Sequence, residues 1–155
     1  MKKNAVTLLI AVVALLSVGI FSLYQTKPAG ESIADEVVVY QSRTCGCCKK
    51  WVAHLQENGF KVRSEMMDDV TEIKRKENLP MKLASCHTAK INGYIVEGHV
   101  PAVAIRKLLA EKPNLKGISV PGMPMGSPGM EGSHKESFDV VSFDENGSEQ
   151  VFMSF

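Results

Sequence analysis

Hydrophobic and polar positions divide the chain into one unbroken apolar run, a short polar stretch, and a long region where brief apolar patterns alternate with turn residues. No charged residue occurs from Ala5 to Leu23, and Lys2 and Lys3 stand ahead of this run. About 20 apolar residues in helix cross a hydrocarbon core of roughly 30 Å. Residues 1–24 are therefore expected to be a membrane anchor or an export signal. Ile20, Phe21 and Leu23 extend the run past the loose small-residue pattern Ser17-Val18-Gly19, which favours a retained anchor over a cleaved signal. The basic pair puts the N-terminus in the cytoplasm and everything after the run outside it.

Residues 25–35, with Pro28 and Gly30, read as a linker, and residues 36–155 as one domain. The β-branched run Glu36–Tyr40 predicts a first, central strand. Lys49–Asn58 carries Trp51, Val52 and Leu55 at helical spacing and ends at Asn58-Gly59. Phe60–Met66 alternates like a second strand, and Val70–Glu77 reads as a helix that Asp68 or Asp69 caps. Met81–Ala89 reads as irregular and Ile91–Val96 as a strand. Ala102–Glu111 reads as a helix with Val103, Ile105, Leu108 and Leu109 as its apolar positions. Gly117–Glu131 is too rich in glycine and proline for regular structure. Phe138–Phe143 and Glu149–Phe155 predict a terminal hairpin turning at Asn146-Gly147. The sum is a small layered α/β domain on a mixed sheet.

Of 155 residues 45% are hydrophobic, and the formal net charge is +1, so neither a nucleic-acid surface nor long-range steering is expected. The Lys74-Arg75-Lys76 run reads as a solvated helix face. Paired catalytic carboxylates, a phosphate loop and a Ser/His/Asp order are not evident.

What the chain does carry is sulfur. Cys45, Cys47 and Cys48 lie within four residues where the first strand gives way to the first helix, the thioredoxin arrangement, in which helix N–H groups favour thiolate. Cys45 and Cys48 have the C-x-x-C spacing, which suits a reversible disulfide or two ligands of one metal. Cys47 is surplus to a dithiol couple. Its side chain diverges from that of Cys48, a geometry that favours bridging soft ions such as Cu(I). A structural disulfide with a leftover thiol, and a structural zinc site completed by Cys86, remain as alternatives.

Cys86 is a candidate ligand or redox partner, and His87 beside it can point toward the thiol or away from it. His99 stands at a strand-to-helix junction, where site residues of α/β sheets collect. His54 is expected to pack or face solvent, and His134 to lie on the surface. Met123, Met125 and Met130 offer neutral soft donors or, alternatively, adaptable packing.

Four blocks, in order, give the chain a family likeness. They are Thr44–Trp51, Cys86–Ala89, Gly93–Pro101 and the segment from Val120 to Glu131. Over about residues 37–155 the chain resembles the CopG-like periplasmic copper-resistance proteins. The resemblance implies a thioredoxin-like fold in the periplasm and copper held by Cys45, Cys47, Cys48 and Cys86. It also implies handling of Cu(I), or its interconversion with Cu(II), in copper resistance, with copper-export or copper-chaperone proteins as partners. His99, Met123 and Met125, as natural neighbours of that centre, are expected to join the copper ligands. Two rivals stay open: a thiol-disulfide oxidoreductase and a non-catalytic, disulfide-stapled interaction module.

Overall fold

The computed structural model describes residues 36–155, so the apolar run and the linker lie outside the described residues. No helix among the described residues is long and apolar enough to cross a membrane. The chain runs β1 (Glu36–Ser42), α1 (Gly46–Glu57), β2 (Lys61–Met67), α2 (Thr71–Lys76) and a 3-10 turn at Met81–Leu83. It continues through β3 (His87–Ile91), β4 (Tyr94–Gly98), α3 (Ala102–Glu111), β5 (Gly117–Val120), β6 (Asp139–Phe143) and β7 (Glu149–Ser154).

The strands form one seven-stranded mixed sheet in the order β2-β1-β3-β4-β5-β6-β7. β1 pairs parallel with β2 and β4 with β5, and the crossovers between them carry α1 and α3. The other neighbours are antiparallel. Side chains alternate faces along a strand, and the core obeys this: Val96 joins Val37, Val39, Trp51, Leu55, Ile105 and Leu108 in the main cluster. Its neighbour Ile95 packs with Leu79, Leu83 and Phe143 in a second one. Trp51 is fully buried and its Nε1–H donates to the Val100 carbonyl at 2.9 Å, tying α1 to the turn before α3.

The structure departs from the sequence expectations at four places. The single strand expected at Ile91–Val96 is a hairpin, with Asn92 (φ 49) and Gly93 (φ 87) as its two-residue turn. Both central residues of such a turn need positive φ, which Asn and Gly supply. His87 thus opens β3 and does not sit in an irregular stretch. Gly117–Val120 is a fully buried strand, because its glycine fits where a Cβ would stand 2.3 Å from the Ile95 carbonyl oxygen. Val103 is 48% exposed, and Ala102 and Ala104 replace it on the buried side of α3. Lys74, read as solvated, is buried and ion-paired.

Candidate metal centre

β1 ends at Ser42, and the Cys45 N–H donates back to the Ser42 carbonyl at 3.2 Å, turning the chain into α1. Cys45 is the helix N-cap, its Sγ accepting from the Cys48 N–H at 3.3 Å. Gly46, Cys47 and Cys48 form the first turn, which holds no acidic residue. Unpaired N–H groups and the positive end of the helix dipole therefore face the sulfurs without a competing carboxylate.

Cys45 and Cys48 are joined in a disulfide, and Cys47 and Cys86 are free. Cys47 Sγ lies 3.6 Å from Cys45 Sγ and 3.8 Å from Cys86 Sγ. Cys48 Sγ is 3.7 Å from the Cys86 carbonyl oxygen. All four sulfurs fall within 4.8 Å of one another, and so, as a second group sharing Cys86, do the donor atoms of Cys86, His87 and His99.

The histidines complete the nest. His99 Nδ1–H donates to the Pro128 carbonyl at 2.7 Å, which leaves Nε2 with its lone pair 3.2 Å from Cys86 Sγ. A backbone carbonyl holding one ring nitrogen while the other faces a ligand position is the usual way a metal-binding imidazole is oriented. His87 Nδ1 lies 3.5 Å from the same sulfur. The ring is fully buried against Trp51, centroids 4.3 Å apart, and its Nε2 has no hydrogen-bond partner among the described residues. Burial, with the charges of His99 and Lys74 adding to it, drives the His87 pKa down to about 3. His99 is also lowered by burial, its bond to Pro128 opposing. Both imidazoles are neutral at pH 7 and can serve as ligands. Cys86 is pushed up to about 12, first by burial and then by the Cys47 charge, so it stays a thiol until a cation compensates its thiolate.

The loop rich in glycine, proline and methionine closes over this cluster. Gly129 (φ +88) sits so near that a Cβ there would stand 2.7 Å from the Cys47 carbonyl oxygen and 3.3 Å from His99 Nδ1. Glu131 Oε1 accepts from the Gly129 N–H at 2.6 Å and fixes the loop's approach. Met123 is 36% exposed, and Met125 turns its methyl toward Gly132.

The donor set fits a soft metal: sulfurs that become thiolates on deprotonation and reduction, and neutral imidazole. The structure brings the four cysteines and His99 together. His54 packs, and its Nε2 accepts the Ala102 N–H at the start of α3. The sequence alone leaves the direction of His87 open, and it is the opening of β3 that turns the ring inward. The signal for it is the Asn92-Gly93 turn, which fixes the hairpin register.

Two solved structures share this architecture at a TM-score of 0.74: copper resistance protein copG in its form 2, 43% identical, and in its form 1, 42% identical. They cover 78% and 79% of this chain and, in each case, 98% of their own. The chain belongs to the CopG family of copper resistance proteins. A family model described as "Protein of unknown function, DUF411" matches residues 83–130, the stretch of the CopG fold that carries Cys86, His99 and the methionine loop. No curated protein matches the chain.

Proposed function

We propose that this CopG-family protein binds copper, as Cu(I), through thiolates of Cys45, Cys47, Cys48 and Cys86 and the Nε2 of His99, and handles it outside the cytoplasm in copper resistance. The observation that carries the reading is the convergence of Cys47, Cys86 and His99, with Cys86 Sγ within 4 Å of both partners. Thiolate and imidazole select soft or borderline metals, and thiolate-rich sites favour monovalent copper. Copper is cargo in this reading. Met123 and Met125, on the loop over the site, are proposed as thioether donors for arriving ions, since thioether withstands an oxidising compartment better than a free thiol.

The disulfide divides the site into two states. Closed, Cys45 and Cys48 hold no thiolate, and the donors are Cys47, Cys86 and His99. Opening it takes two electrons and two protons and yields two more thiols. A periplasmic location is supported by the apolar run behind Lys2 and Lys3, whether the domain is tethered to the inner membrane or freed by signal cleavage. Copper-export or copper-chaperone proteins are the proposed partners. The first four strands and three helices, with β1 parallel to β2 and antiparallel to β3, support reading the core as thioredoxin-like.

Anaerobically reduced protein titrated with Cu(I) against a competing chelator is expected to retain at least one equivalent. Replacing Cys45, Cys47 and Cys48 together by serine should abolish retention, and retention by the triple variant would overturn the assignment. A second reading, thiol-disulfide oxidoreductase, rests on the Cys45–Cys48 disulfide at a helix N-terminus. It predicts disulfide-transfer activity that survives Cys47→Ser.

A further inference from the structure

Behind Cys86 lies a buried polar cluster that the sulfur chemistry does not use. Lys74 of α2 and Glu97 of β4 have side chains 3% and 0% exposed, with Lys74 Nζ 2.5 Å from Glu97 Oε1. Lys74 Nζ also donates to Thr88 Oγ1 at 2.8 Å, and the Thr88 hydroxyl donates to Glu97 Oε2 at 2.6 Å across the β3–β4 hairpin, where the two residues face each other. The remaining capacity of Glu97 Oε1 goes to one residue outside the sheet. It accepts from the Ser85 N–H at 2.6 Å and from the Ser85 hydroxyl at 2.9 Å.

Burying an ion pair costs several kcal/mol of desolvation per ion, and a well-packed apolar pair of similar volume is often as stable or more so. Stability alone is therefore a poor account of Lys74 and Glu97. Their hydrogen bonds point to a different one, because Ser85 immediately precedes Cys86. The same end of Glu97's strand also reaches that thiol: Gly98 (φ +75) packs where a Cβ would stand 2.9 Å from Ser85 Oγ, and His99 follows with Nε2 3.2 Å from Cys86 Sγ. Glu97 grips the backbone before Cys86 while His99 faces its sulfur.

We propose that Lys74 and Glu97 are positioning residues for copper binding, acting through Ser85 to hold the Cys86 thiol against Cys47 and His99. Lys74 fixes the carboxylate and Thr88 sets its plane, so that one Glu97 oxygen remains aimed at Ser85. This rests on the copper reading above. Groups bonded directly to a metal ligand typically tune affinity by about 10–100-fold when lost, and Glu97, bonded to the residue before the ligand, falls at the lower end of that range.

The test uses the reduced full chain, with Glu97→Gln and, since a lysine left without its carboxylate can unfold the domain, Ser85→Ala, which keeps the ion pair intact. Two measurements are made on each folded variant: Cu(I) affinity by chelator competition, and the alkylation rates of Cys86 and Cys47 in metal-free protein, resolved by peptide mass. The expected result is Cu(I) affinity down by about 10-fold for Glu97→Gln, with a smaller loss for Ser85→Ala. Cys86 alkylation should be faster in both variants and that of Cys47 unchanged. Unaltered Cys86 alkylation in both variants, or equal acceleration of Cys47 and Cys86, would overturn the positioning role. If wild-type protein retains no Cu(I), the copper reading fails, and the alkylation pattern still decides whether Glu97 holds Cys86.

Discussion

Gly129 brings the methionine-bearing loop closer to the cysteine helix than any side chain would permit. At φ +88 it adopts a conformation that costs an L-residue roughly 1–2 kcal/mol, and its missing Cβ is what leaves room for the Cys47 carbonyl. Gly129→Ala is therefore expected to destabilise the domain by about 1–3 kcal/mol, by strain and overpacking together, and to weaken Cu(I) binding. Thermal melts and chelator competition on the same sample check both effects. The histidines give the domain a signed pH response. His87, His99 and His54 are all lowered by burial, so below pH 6.5 the unfolded chain binds protons that the native state refuses, at His87 down to about pH 3. The histidine contribution to stability is complete above pH 6.5 and falls as pH drops, with fully buried His87 carrying the largest share, on the order of a few kcal/mol. Cys86 acts at the other end: its thiol form is retained to about pH 12, so its contribution is present below the unfolded thiol value near 9 and is lost as pH rises. Urea midpoints across about pH 4 to 10 should trace a plateau with two shoulders, the acid one reduced in His87→Phe. At this scale the sulfurs are legible in the sequence, since four cysteines and the spacing of three of them need no fold to be noticed. Lys74 and Glu97 are hidden there, because a lysine inside Lys74-Arg75-Lys76 looks solvated until the opposing strand is known.

Elements are legible where pattern and punctuation agree. α3 runs from Ala102 to Glu111 as its flanking prolines and apolar spacing demand, and the terminal hairpin forms about Asn146-Gly147. The β3–β4 hairpin escapes the sequence pattern although Asn92-Gly93 is a strong turn signal, because Tyr94-Ile95-Val96 continues Ile91 as one apolar run. The difference matters for the site, since Thr88 stands opposite Glu97 only in the hairpin register. β5 escapes it for another reason: Gly117 begins the strand, and glycine argues against a strand unless a neighbouring backbone needs the space. Here it does. Gly117→Ala would place a Cβ 2.3 Å from the Ile95 carbonyl and 2.8 Å from Phe143, and is expected to cost about 1–3 kcal/mol by parting β4 from β5. Amide exchange should localise the loss to those two strands. Uniform loosening of the whole sheet would speak against it.

For the molecule as a whole, the sheet brings the α1 N-terminus, the start of β3 and the end of β4 to one place, so residues spread from Cys45 to Gly129 meet around a single thiol. Length and spacing could not supply that, because Cys86 and His99 approach Cys47 only through strand order β1-β3-β4. The disulfide then makes donor number depend on redox state: protein with Cys45–Cys48 closed is expected to bind Cu(I) more weakly than protein reduced with dithiothreitol and freed of reductant. Equal affinity would remove the disulfide from the account. The proposed function requires copper on these sulfurs and on His99 Nε2, which copper K-edge X-ray absorption of the Cu(I)-loaded chain reads out. Sulfur-dominated scattering with one histidine contribution is expected, the sulfur part reduced in Cys86→Ser and the imidazole part gone in His99→Ala. Oxygen-dominated scattering, or a spectrum that neither substitution changes, would contradict it.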